Sequence, residues 1–163
     1  MDRKIMTLCC VYDETHVLLG EIVKESKIKG MFNGFGGKIE PGESIEEAAR
    51  RELIEEAGII PLDMQKRGKI VFEMENEGNP FEGSPDVELH IFSVTKFEGE
   101  PSESREMKPQ WFLRGEIPFA KMWPDDVHWM PLMLAGKNFE GKFFLKDPQT
   151  IISFELGEID DVV

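Results

Sequence analysis

The chain has 163 residues, enough for one domain with a single core. Hydrophobic residues make up 40% and charged residues 31%, which excludes a disordered chain, and no apolar stretch approaches the ~20 residues of a membrane helix. With 32 acidic against 19 basic residues the net charge is −13, a balance that repels polymeric DNA or RNA but not a small nucleotide screened by metal ions. The first residues show no signal-peptide pattern, so a cytoplasmic protein with no membrane partner is expected, and a monomer rather than an oligomer.

Residues 5–12 form a mostly apolar run whose alternate positions are apolar on both faces. That predicts a strand covered on both sides. Within it Cys9 and Cys10 point in opposite directions, so two free thiols are expected rather than a bridge. Residues 16–23 read as the partner strand, with Asp13 and Glu14 in the turn, and 24–30 as a polar loop. The glycines of 33–37 allow backbone to approach a ligand closely. Residues 44–57 are the clearest helix, 70–75 and 87–97 read as strands, and the Gly- and Pro-rich stretch 76–86 between them as a flexible connection. A short strand at 111–113, a helix at 125–134 weakened by Pro131, and a hairpin of 139–146 with 151–156 complete the chain. The expected fold class is α/β or α+β, as one domain over residues 1–163.

The helix at 44–57 carries its own boundaries. Ser44 is an N-cap with Glu47 three residues on, and Gly58 is placed for a left-handed stop. Glu52, Glu55 and Glu56 stand at i, i+3 and i+4, on one side of the helix. They repel one another by a few tenths of a kcal/mol per pair, and they sit in the last turns, where the macrodipole disfavours negative charge. A solvated acidic face would give the same three residues. A hard divalent cation with oxygen ligands, magnesium above all, would remove both conflicts.

The wider segment decides between these readings. Gly37, Glu43 and the run Arg51-Glu52-Leu53-Ile54-Glu55-Glu56-Ala57-Gly58-Ile59 stand at Nudix-box spacing over 23 residues, and the chain resembles the Nudix hydrolase family at every defined position. The resemblance implies a mixed sheet sandwiched between helices, with the box as a loop–helix–loop. It implies that Glu52, Glu55 and Glu56 bind magnesium, or manganese in its place, with the Gly36 carbonyl and with Glu106 from a distant loop. Glu43 and Arg51 would be a structural ion pair. Metal ions would neutralise the polyphosphate oxygens and favour in-line attack by water, with Glu56 or Glu106 as proton acceptor and Lys38 neutralising a phosphate oxygen.

Outside the box the chain resembles the MutT-related oxidised-purine nucleoside triphosphatases of animals. The carrying segments are 32–38, 70–73, 111–112, 117–119 and 122–126. The implied activity splits a nucleoside triphosphate such as 8-oxo-dGTP or 2-hydroxy-dATP into a monophosphate and pyrophosphate. Asn33, Asp125 and Asp126 would read the base and Trp123 would stack on it. Phe72 would wall the pocket, Thr7 would lie near its floor, and Phe35 would help bind substrate. Two adjacent acids in a pocket would raise at least one pKa and so offer a donor beside acceptors. Taken alone, Asp125 or Asp126 reads equally as a helix N-cap, Trp123 as core and Asn33 as a turn residue.

Three positions depart from that group: Glu21 to Val23 carry no lysine, Met74 replaces an aromatic residue, and 76–86 is longer. They leave base preference open. Another nucleoside triphosphate, a dinucleotide or ADP-ribose is the first alternative, and a nucleotide sensor without turnover is the second. The intact glutamate set argues against the sensor.

Overall fold

The computed structural model describes residues 3–75 and 86–162. Strand β1 (Lys4–Tyr12) lies inside an eight-stranded sheet, parallel to β6 (Val87–Val94) on one side. Its odd and even side chains enter different cores, Cys9 and Val11 one and Leu8, Cys10 and Tyr12 the other. The double-sided apolar pattern thus has its expected cause, and both cysteines are free and buried.

On its other side β1 meets β2 (His16–Ile22) only at Val11–Leu18 and Tyr12–Val17. Beyond that point the strands part and residues 32–38 fill the gap. Strand β3 (Phe32–Asn33) pairs with β2, while Phe35 and Lys38 bridge to Cys9 and Met6 of β1. Gly36 makes this wedge possible: a Cβ there would lie 1.8 Å from the Thr7 carbonyl oxygen. The wedge leads directly into helix α1 (Ile45–Ala57).

Ser44 caps α1, accepting the Glu47 N–H at 3.1 Å, and Gly58 ends it at φ 72° with its N–H on the Ile54 carbonyl. Ala49, Leu53 and Ala57 pack its apolar side onto Cys9, Val11 and Phe92. The opposite face of the sheet is covered by helix α2 (Asp126–Leu134), through Trp129, Met130 and Met133. The result is a mixed sheet sandwiched between helices, as expected. Pro131 does lie within α2; the turn it leaves without a hydrogen bond starts at exposed Val127, where water can serve the carbonyl.

The remaining strands are β4 (Ile60–Pro61), β5 (Gln65–Met74), β7 (Phe97–Glu98), β8 (Met107–Leu113), β9 (Asn138–Asp147) and β10 (Thr150–Ile159). The sheet runs β10-β9-β5-β6-β1-β2-β3, with β8 also on β2, and β4 pairs with β7 apart from it. Strand β5 begins five residues before the expected position, because Gln65 to Lys69 are polar yet pair with β6 and β9. Strand β8 begins four residues early. It is an edge, pairing with β2, so it tolerates Pro109 and exposed Lys108 and Gln110. The expected connection at 76–86 lies outside the described residues except for Asp86. No helix among the described residues is long and apolar enough to cross a membrane.

Candidate active site

Two clefts open where β1 and β2 part, and Met6 and Gly36 line both. The first, of about 780 Å³, is lined by Gly37, Lys38, Arg51, Glu52, Glu55, Glu56 and Glu106 among others. Helix spacing alone brings the three α1 glutamates to it. Glu106 comes from the loop before β8, half-exposed, with Lys24 Nζ 3.6 Å from its carboxylate.

Arg51 organises this cleft. Its Nε and Nη2 donate to the two Glu43 oxygens at 2.6 and 3.0 Å, a bidentate pair, and Nη2 also reaches the Lys38 carbonyl. The loop before α1 is thereby fastened to the helix, and Arg51 holds the Glu43 carboxyl below its usual range. Nη1 donates to Glu52 at 2.9 Å and Glu55 at 3.4 Å.

Glu56 differs from its neighbours. It is only 7% exposed, and its Oε1 accepts the Gly36 N–H at 2.7 Å. Burial, reinforced by the charges of Glu52, Glu106 and Glu55, pushes its carboxyl up to about 8, against the pull of the Gly36 bond. Burial also raises Glu52, although Arg51 opposes the shift.

The second opening is a cavity of about 410 Å³, mostly apolar, lined by Thr7, Leu8, Asn33, Phe72, Met74, Trp123, Asp125 and Asp126 among others. Asn33 lies on β3 opposite Gly20 and is therefore a strand residue, not a turn residue. Phe72 stacks on Phe143 with centroids 5.7 Å apart. Asp125 occupies the N-cap position of α2, but its side chain makes no capping bond. Instead its Oδ2 accepts the Trp129 indole N–H at 2.8 Å. Asp126 is 2% exposed, and its Oδ2 has no hydrogen-bond partner among the described residues. Burial raises both carboxyls, and the neighbouring Asp125 drives Asp126 further up, so the pair resists losing both protons. A buried carboxyl oxygen without a partner at a cavity wall is costly unless a ligand completes it.

A family model for the NUDIX domain matches residues 2–133. The chain belongs to the Nudix family. The mouse protein named oxidized purine nucleoside triphosphate hydrolase is 46% identical over 158 residues, 96% of each chain, and the zebrafish protein of that name is 44% identical over 98% of this chain and 97% of its own. The crystal structure of a MutT protein from Bacillus halodurans superposes with a TM-score of 0.80 at 30% identity, covering 94% of this chain and 97% of that one.

As a Nudix hydrolase the chain falls in a family that generally uses a divalent metal. The acidic cleft fits such an ion chemically: it offers hard carboxylate oxygens, and one carboxyl, Glu56, is pushed up to about 8 by burial and by the neighbouring glutamate charges, which a cation would offset. As they stand, however, Glu52 and Glu55 are tied by Arg51, and no three acidic, histidine or cysteine side chains among the described residues are gathered closely enough to hold an ion. Each of these two carboxylates bonds Arg51 through one oxygen and leaves the other for a cation.

Most residues singled out from the sequence stand at one of the two openings, Lys38 at the rim of the cleft and Thr7 in the cavity wall. Phe35 does not. Its ring is wholly buried among Leu53, Ala49 and Cys9, because its backbone bridges to β1 beneath α1, so it secures the helix and has no surface for substrate. Sequence reasoning passed over Lys4, Leu8, Leu89, Leu145 and Pro148, which also line the cavity. Period-two alternation places Leu8 on one face of β1 but not beside an opening. Trp129 was also missed, although its i+4 spacing from Asp125 was a usable signal.

Proposed function

We propose that this Nudix hydrolase cleaves oxidised purine nucleoside triphosphates, such as 8-oxo-dGTP, to the monophosphate and pyrophosphate, with magnesium as its metal. The observation that carries this reading is the buried Asp125–Asp126 pair in a cavity that shares Met6 and Gly36 with the acidic cleft. A pair sharing one proton offers a donor beside acceptors, which suits a purine edge carrying both a protonated N7 and carbonyl oxygens. Asn33 adds a second donor and acceptor, and Trp123 offers a flat face for stacking. The names of the mouse and zebrafish relatives support the same substrate class.

Glu52, Glu55 and Glu56, with Glu106 and the Gly36 carbonyl, would hold the metal, which when bound neutralises polyphosphate oxygens. Glu56, with a carboxyl near 8, is suited to take the proton of the attacking water close to neutral pH. Lys38 at the rim offsets phosphate charge. The α1 scaffold, fastened by Arg51 and Glu43, keeps these groups in register with the base cavity. The deciding experiment is a panel of nucleoside triphosphates with magnesium, with products resolved by chromatography. A higher kcat/KM for 8-oxo-dGTP than for dGTP is expected, with pyrophosphate released; equal values would overturn the substrate assignment.

A further inference from the structure

Lys4 opens β1 and is the one cation among the described residues that lines the cavity. Its backbone N–H donates to the Asp86 carbonyl at 2.8 Å, and its ladder neighbour is Val87, another lining residue, so its place is fixed by the β1–β6 pairing. Lys4 and Met6 share a face of the strand. Met6 in turn bridges to Lys38, and the side chain of Lys4 reaches that of Lys38. Lys38 lines the acidic cleft. The two lysines therefore flank Met6 where cavity and cleft join.

Like charges in contact repel, and partial burial increases the cost. Among the described residues neither lysine has a carboxylate partner, in a chain with 32 acids and a net charge of −13. The fold does not require a cation at the start of β1: the position is half-buried, and an apolar side chain would serve the cavity wall as well. An anion between the two ammonium groups would relieve their repulsion. A nucleotide anchored by its base at Asp125 and Asp126 must pass this junction to bring its phosphates to the glutamates. The first phosphate to cross it approaches a wall of carboxylates.

We propose that Lys4, acting with Lys38, binds the phosphate nearest the sugar and so aligns the base cavity with the acidic cleft. The inference rests on the nucleotide reading above and assigns Lys4 a role that neither the base pair of aspartates nor the glutamate helix supplies.

Titration calorimetry of the full chain with 8-oxo-dGMP and with 8-oxo-deoxyguanosine separates phosphate from base binding. Lys4→Met keeps the apolar stem and should weaken 8-oxo-dGMP about 10-fold while leaving the nucleoside within about twofold. Lys4→Arg should retain most of the monophosphate affinity. Undiminished nucleoside binding also reports that the variant is folded. Equal weakening of both ligands, or weakening of neither, overturns the proposal. If the parent prefers dGMP to 8-oxo-dGMP, the oxidised-base reading fails instead, and dGMP with deoxyguanosine then tests Lys4 in the same way.

Discussion

In the acidic cleft the carboxylates of Glu52 and Glu55 stand at the end of α1 with an arginine between them, whereas in the cavity Asp125 and Asp126 are drawn almost wholly inside and form no ion pair among the described residues. Like charges have been managed differently in each. The first set is paired with an arginine and arranged for a cation; in the second, burial pushes the carboxyls up and favours a hydrogen-bonding surface. Glu56 lies between the two cases, buried like the aspartates yet on the glutamate helix, and its carboxyl near 8 expresses that position. One chain thus uses burial to decide whether an acid serves electrostatics or recognition.

The largest test of this contrast is Glu56→Gln, which removes charge but keeps shape. It should lower kcat by about 10³-fold with an unchanged circular dichroism spectrum. Activity near that of the parent would remove Glu56 from the reaction.

Next comes pH. Below the ordinary carboxyl range both folded and unfolded chains keep the Glu56 proton. As pH rises from about 4.5 towards 8 the unfolded chain releases it first, so stability falls across that window and levels off above it. In chelator-treated protein the loss should be on the order of 5 kcal/mol, and Glu56→Gln should flatten this part of the profile. Thermal unfolding at several pH values reads it directly, and added magnesium should restore stability at the alkaline end.

In the cavity, Asp126→Asn replaces a carboxyl whose ionisation burial opposes by an amide that cannot exchange a proton with Asp125. The expected loss in kcat/KM is roughly 10²-fold for 8-oxo-dGTP and smaller for dGTP. An equal loss on both would mean that Asp126 supports the fold of the cavity rather than reading the base. The smallest effect belongs to Arg51→Lys, which keeps the charge but gives up the bidentate pair with Glu43. It should cost about 1 kcal/mol in denaturant unfolding, and no change would leave the loop-to-helix fastening without energetic weight.

Sequence by itself determined the carboxylate helix, from its Ser44 cap to its Gly58 stop, because one helix sets those distances, while the Glu43–Arg51 pair was expected through resemblance. It also gave the two-sided burial of β1. The cavity is built otherwise, from β1, β3, β5, β6, the loop before α2 and the end of β9. Asn33, Trp123, Asp125 and Asp126 could be named beforehand only through resemblance, since spacing left each an ordinary reading as turn, core or cap. Tertiary structure alone decided that Asp125 turns inward to Trp129, that one oxygen of Asp126 has no partner among the described residues, that Phe35 belongs to the core, and that Lys4 meets Lys38. The physical reason is that helical neighbours are fixed by chain geometry, whereas neighbours across parted strands depend on how the whole sheet pairs.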